Sequence, residues 1–273
     1  MFKRSRTVPT GTAVCCDVQG LRTHARVYGR GRKVTVVILP GLGCASWMYL
    51  RLARLLAQRS TVWLYDPPGH GLSQGRRNDS VSVEQLTDHL ALWLETQQIR
   101  RPVLLGHSLG GEVAIQLAAR YPQLTGPLIA VAPTGIPENP SLLEQVWRLI
   151  RDIPRERLAF WPSCLSAYVR TGMQRFYRLA RAIEHQSTLP FLALLQGPVL
   201  VLGGASDPVV PSSALSRLTA LGPNVQVVEL AGAPHAMTDA NAKGVAEQVQ
   251  RWLVDLNWTG EAEGGSPEVI KRP

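Results

Sequence analysis

The stretch Val103-Leu104-Leu105-Gly106-His107-Ser108-Leu109-Gly110-Gly111 decides how the rest of this chain is read. A short apolar run, a Gly-x-Ser-x-Gly turn and a small-residue helical pattern predict a strand, a sharp turn and a helix over Leu109–Arg120. A turn of this kind strains the backbone of its serine and pushes the hydroxyl into a cleft. Glycines two residues before and two after let neighbouring backbone approach closely. The helix starting behind Ser108 also turns its positive end toward any negative charge that develops there. Ser108 is therefore the candidate nucleophile.

Working outward, the same alternation of strand and helix recurs on both sides. Val34–Leu39 is apolar on both faces, as a strand covered by helices on either side must be. A helical pattern follows over Ala45–Gln58, then a strand at Thr61–Tyr65, a helix at Ser82–Thr96 and an apolar strand at Leu128–Val131. Strands resume at Val199–Leu202 and Val225–Leu230, and a last helix runs over Ala242–Leu256. Thr12–Val18 and Arg22–Tyr28, joined by Gln19-Gly20, read as an antiparallel hairpin at one edge. The expected fold class is α/β: a mostly parallel twisted sheet of about eight strands with helices on both faces.

From about Gly135 to Leu189 the strand pattern stops. This stretch is helical, opens with Pro137 and Pro140, and carries a large share of the big aromatics. Ser141-Leu142-Leu143-Glu144 fits a capping box at the start of one of its helices. We read residues 136–188 as a helical cap inserted into a core made of 11–135 and 189–257. Residues 1–10 and 258–273 are expected to be disordered tails.

A serine nucleophile needs a base, and the base an orienting carboxylate. Asp207 follows the strand Val199–Leu202 in Gly203-Gly204-Ala205-Ser206-Asp207-Pro208. His235 follows the strand Val225–Leu230 in Gly232-Ala233-Pro234-His235. Ser108, Asp207 and His235 thus all lie just past the carboxyl ends of parallel strands, where open α/β sheets place their sites. Their order along the chain, Ser, Asp, His, is that of one triad class.

On these residues the chain resembles the α/β-hydrolase superfamily, in its capped esterase-like branch, over roughly Thr12–Leu256. Leu39-Pro40-Gly41-Leu42-Gly43 resembles the loop that supplies one oxyanion donor. The resemblance makes the backbone amides of Leu42 and Leu109 the oxyanion hole. Pro40 departs from the pattern, since family members commonly carry a histidine there, and the Leu42 amide survives that change. Asp66-Pro67-Pro68-Gly69-His70-Gly71-Leu72-Ser73 resembles the loop after the next strand, which gives Asp66 a structural role. Asp239 is a further decoy for the acid. His70 and His107 read as a loop residue and a neighbour packed behind the turn, and His185 as a residue near the end of the cap.

The activity implied is that of a serine esterase cleaving small, largely apolar carboxylic esters or related acyl compounds through an acyl-enzyme on Ser108. Trp147, Trp161, Tyr168 and Phe176 are the candidate cap residues for the acyl pocket. Two alternatives stay open. A carbon–carbon bond hydrolase of a keto acid keeps the same triad and would use a cap arginine, between Arg148 and Arg181, for the substrate carboxylate. A non-catalytic ligand receptor on the same fold is the other. No cofactor and no metal are implied, and the expected partner is a small-molecule acyl substrate.

Composition sets the remaining bounds. The 273 residues are 45% hydrophobic and 18% charged, enough apolar material for one large core. The formal charge is +9, but the arginines are scattered. The dense run Lys3-Arg4-Ser5-Arg6 is too short to track a duplex, so nucleic acid is not an expected partner. Four cysteines, two of them the adjacent Cys15 and Cys16, show neither zinc nor disulfide spacing. With no signal peptide visible and no stretch reading as a membrane span, the expected location is the cytoplasm.

Overall fold

The computed structural model describes residues 11–75, 82–222 and 224–260. Eight strands form one sheet: β1 (Thr12–Val18), β2 (Leu21–Tyr28), β3 (Thr35–Leu39), β4 (Thr61–Tyr65), β5 (Val103–His107), β6 (Leu128–Val131), β7 (Val199–Gly204) and β8 (Val225–Leu230). Their order across the sheet is β1-β2-β4-β3-β5-β6-β7-β8. β1 and β2 are antiparallel to each other, and β2 is antiparallel to β4. From β4 to β8 every pairing is parallel.

The helices are α1 (Leu50–Leu56), α2 (Val83–Thr96), α3 (Leu109–Arg120), α4 (Leu142–Asp152), α5 (Trp161–Thr171), α6 (Met173–Ala182), α7 (Leu189–Leu192), α8 (Ser212–Leu215), α9 (Met237–Ala240) and α10 (Ala242–Asp255). Side chains alternate across the central strands and feed two cores. Val37, Leu39, Leu104, Ala130 and Val201 pack with α2 and α3 on one face. Val36, Ile38, Leu105, Ile129 and Leu202 pack with α1 and α10 on the other. Burial on both faces is why these strands read as unbroken apolar runs.

Local signals explain most boundaries. Gln19 and Gly20 both have positive φ, at 52° and 75°, the turn that lets β1 fold directly back on β2. Ser82 caps α2 in a complete capping box with Gln85. At Ser141 only half of the expected box forms. Its hydroxyl accepts from the Glu144 amide, while the Glu144 carboxylate turns to Arg148 one helical turn on. The helix expected over Ala45–Gln58 is shorter, a tight 3-10 turn at Ser46–Tyr49 leading into α1. The Asp66 carboxylate takes both the amide and the hydroxyl of Ser46 and fixes that turn.

β5 and β7 each run two residues past the expected ends, through Gly106-His107 and Gly203-Gly204. Glycine carries no strand signal of its own, yet here its backbone continues the ladder. Between β6 and β7 the chain makes helices α4 to α7 and no strand. Of the two tails expected to be disordered, 1–10 and 261–273 lie outside the described residues, as does the basic run at 3–6. Residues 258–260 are described: the Trp258 amide donates to the Leu253 carbonyl, and Arg101 stacks on its ring.

Candidate active site

Ser108 stands in the tight corner between β5 and α3 with φ 55° and ψ −122°, a conformation that costs a non-glycine residue energy. The corner is that tight because glycines flank it. A Cβ on Gly106 would lie 2.2 Å from the Gly110 carbonyl oxygen, and one on Gly110 would lie 2.3 Å from that of Leu39. The Ser108 amide donates to the Val131 carbonyl at 3.0 Å, which ties the corner to the neighbouring strand.

Asp207, after β7, and His235, after β8, reach the same spot. His235 Nδ1 lies 2.9 Å from Asp207 Oδ2, and its Nε2 lies 3.0 Å from Ser108 Oγ. All three side chains are buried. The other Asp207 oxygen accepts from the amides of Val209 and Val210 at 2.7 and 3.0 Å, so the carboxylate is both ionised and held. An ionised Asp207 fixes the proton on Nδ1 and leaves the Nε2 lone pair facing the serine hydroxyl. Burial opposes charge on His235, but the Asp207 charge and hydrogen bond outweigh it and raise the imidazole above its ordinary value. The same contact overcomes burial to lower Asp207.

A second chain of hydrogen bonds runs behind this line. His107 Nε2 lies 3.0 Å from the carbonyl oxygen of His235. A carbonyl can only accept, so Nε2 carries the proton and Nδ1 accepts from the Tyr49 hydroxyl at 2.9 Å. Tyr49 in turn accepts from the Gly41 amide at 2.9 Å. Burial and the neighbouring His235 push His107 down to about 3, so the ring is neutral. Leu42 and Leu109 both border the cavity in front of Ser108. Neither amide donates a hydrogen bond to another described residue.

That cavity measures about 410 Å³ and is mostly apolar. Ser108 and His235 border it on the core side, and α4, α5 and α6 supply its outer wall. Trp161, Tyr168 and Phe176, three of the expected cap residues, line it. Trp147, the fourth, does not; it stands on the outer face of α4, 59% exposed. Two acidic side chains of the insert do face inward. Asp152 accepts from the His235 amide at 3.3 Å and Glu156 from the Ala236 amide at 3.0 Å. Burial, together with the neighbouring Asp152, pushes Glu156 up to about 8. Among the cap arginines Arg148 borders the cavity, and it is already engaged by Glu144 and the Val209 carbonyl.

The decoys have other work. Asp66, wholly buried, accepts from the Ser46 amide and hydroxyl, the Leu72 amide and His24. Asp239 pairs with Arg51 on the core and Arg157 on the insert. His185 is exposed and does not border the cavity. Among the described residues no group of three or more His, Cys, Asp or Glu is placed to hold a metal ion.

This arrangement on this sheet has known relatives. The model of the alpha/beta hydrolase family matches residues 36–248. The chain belongs to that family. Among curated relatives, a pimeloyl-[acyl-carrier protein] methyl ester esterase of Xanthomonas axonopodis pv. citri is 29% identical over 266 residues. That match covers 85% of this chain and 99% of the relative. A putative carbamate hydrolase, RutD, of Serratia proteamaculans is 25% identical over 250 residues, or 81% of this chain and 91% of that protein. Among solved structures the enol-lactonase of Burkholderia xenovorans superposes with a TM-score of 0.77 at 22% identity, covering 88% of this chain and all 100% of that one. At that identity the likeness is one of fold.

Several residues of this alpha/beta hydrolase escaped the sequence reading: Tyr49, Asp152, Glu156, Glu112 and Asn139. Glu112, buried on α3, accepts from the Thr134 hydroxyl and, at 2.9 Å, from the Asn139 amide group. Asn139 also accepts from the Gly135 amide at 2.8 Å, and Thr188 closes on the backbone of Thr134 and Gly135. A polar residue on the apolar-patterned α3 is the one sequence signal that marks this cluster.

Proposed function

We propose that this alpha/beta hydrolase is a serine esterase that cleaves small, largely apolar carboxylic esters through an acyl-enzyme on Ser108. The observation that carries the reading is the unbroken line Asp207–His235–Ser108 at the floor of an apolar cavity. His235 Nε2 takes the hydroxyl proton as Ser108 Oγ bonds to the ester carbonyl carbon. The Leu42 and Leu109 amides receive the oxyanion, and His235 returns the proton to the departing alcohol. Water, deprotonated by the same nitrogen, then releases the acid and restores the serine. Asp207 holds the ring's tautomer and balances its transient positive charge.

The acidic pair in the cavity wall favours this reading over a carbon–carbon hydrolase of a keto acid. A substrate carboxylate would lie against the carboxyl groups of Asp152 and Glu156 instead of a free cation, since the bordering arginine, Arg148, is already paired. Two relatives, named for a methyl ester esterase and a putative carbamate hydrolase, support acyl chemistry. All four cysteines are free, which fits a reducing compartment, and we place the protein in the cytoplasm.

The test is hydrolysis of nitrophenyl esters of graded acyl length by the wild type and by Ser108→Ala. We expect an optimum at short to medium chains and loss of at least about 10⁴-fold in kcat in the variant. Wild-type protein inert on every ester, or a variant as active as wild type, overturns the reading.

A further inference from the structure

The outer side of the insert is built unlike the rest of the surface. α4 has eleven residues, and Asp152 is the one that is buried. Leu143, Val146, Trp147 and Ile150 follow the i, i+3, i+4, i+7 spacing of a single helix face and are 41 to 83% exposed. Trp161, Leu165 and Val169, spaced by four on α5, are exposed as well. A stripe of this kind on a globular protein belongs against another apolar phase.

This face is also where the cavity opens. Val146, Ile150, Ile153, Trp161 and Met173 are exposed and at the same time form part of the cavity wall. An apolar path therefore runs without a break from the outer surface of the insert to Ser108.

Charge identifies the second phase. Residues 136–188 hold eight arginines, no lysine and five carboxylic acids. Two of those acids, Asp152 and Glu156, are turned inward toward the His235 loop. Arg151, one helical turn from Trp147, Arg155 and Arg178 are exposed and have no carboxylate partner among the described residues. A second copy of this chain would bring like arginines face to face across a two-fold axis. An anionic lipid surface offers acyl chains to the stripe and phosphates to the guanidinium groups.

We propose that the insert's arginine-rimmed apolar face docks this protein on anionic membrane surfaces, with the cavity mouth turned to the acyl-chain boundary. This docking does not rest on the role assigned to Ser108, and Ser108→Ala is expected to bind like wild type.

The experiment is co-sedimentation of the full chain with vesicles of equal parts phosphatidylglycerol and phosphatidylcholine, against pure phosphatidylcholine, at low and high salt. Wild type is expected to partition onto the anionic vesicles at least about tenfold more strongly, with the preference falling as salt rises. Leu143→Ser/Leu158→Ser/Leu165→Ser, three exposed positions that do not border the cavity, should lower partitioning at least about tenfold and spare hydrolysis of a soluble short-chain ester. Arg151→Glu/Arg155→Glu should abolish the lipid preference. Equal sedimentation with both vesicle types, or variants that bind like wild type, overturns the proposal. So does a wild-type dimer in analytical ultracentrifugation that Leu143→Ser/Leu158→Ser/Leu165→Ser converts to monomer.

Discussion

The Nε2–H of His107 donates to the main-chain carbonyl of His235, at 3.0 Å and across 128 positions of sequence. The residue before the candidate nucleophile thus grips the residue proposed as its base. Because His107 is held in turn by Tyr49, and Tyr49 holds the Gly41 amide, the strand-to-helix corner, the base loop and the Leu42 loop are tied into one hydrogen-bonded unit.

Removing the Tyr49 hydroxyl should loosen that unit without touching the reacting atoms. Tyr49→Phe leaves the Gly41 amide and His107 Nδ1 unpaired in a buried site. We expect a loss of about 1–3 kcal/mol in urea unfolding and about a tenfold drop in kcat with KM little changed.

The pH profile should carry the signature of the Asp207–His235 pair. A base must be neutral, so kcat/KM falls as pH drops through the His235 pKa, which Asp207 raises above 6.5. Asp207→Asn removes that charge, and burial then prevails. The acidic limb should move to lower pH while the plateau drops by about 10³–10⁴-fold. A limb that stays in place would assign it to another group.

Glu112 gives a stability prediction of definite sign. Burial, only partly offset by its bonds to Thr134 and Asn139, pushes its carboxyl up to about 7, above an unfolded value near 4.5. The folded state therefore binds the extra proton, and stability is lost as pH rises from 4.5 through about 7. Glu112→Gln keeps an oxygen for both donors and no longer ionises. It should match wild type near pH 4 to 5 and exceed it by a few kcal/mol, at most about 3, above pH 8 in chemical denaturation.

The sheet and the corner at Ser108 were legible because their signals are local. Thr61–Tyr65, Leu128–Val131 and Val225–Leu230 are apolar runs with turn residues at both ends, and they form strands with those bounds. Ser108, Asp207 and His235 each follow such a strand, so the sheet itself carries them to one place. Tyr49, Asp152 and Glu156 gave no such sign. Their partners lie 58, 83 and 80 positions away, and each sits in a helical pattern where its side chain reads as surface or core. Trp147 fails for the opposite reason. Its aromatic ring suggested a pocket wall, whereas helix phase turns it outward with Leu143 and Ile150.

The acidic pair in the cavity wall should set a charge preference. Glu156 is neutral below about pH 8 and charged above it, so discrimination against anionic acyl groups should sharpen as pH rises through that value. Above pH 8, Glu156→Gln should lower KM for a monoester of a dicarboxylic acid by about 3- to 10-fold and leave a neutral ester of equal length unchanged, whereas near pH 6 variant and wild type should agree for both. An equal change for both substrates would make Glu156 a packing residue.

The two roots of the insert come together at a single seam. The Thr188 amide bonds to the Gly135 carbonyl, the Asn139 amide to Gln186 and the His185 amide to Asn139. Everything between these positions leaves the sheet and returns to it at one point, as a drawer leaves and re-enters its frame. The cavity wall is thus detachable in principle from the sheet that carries Ser108. A chimera that exchanges residues 140–184 for another helical segment should keep every strand, provided the newcomer restores the grip of Asp152 and Glu156 on the His235 loop.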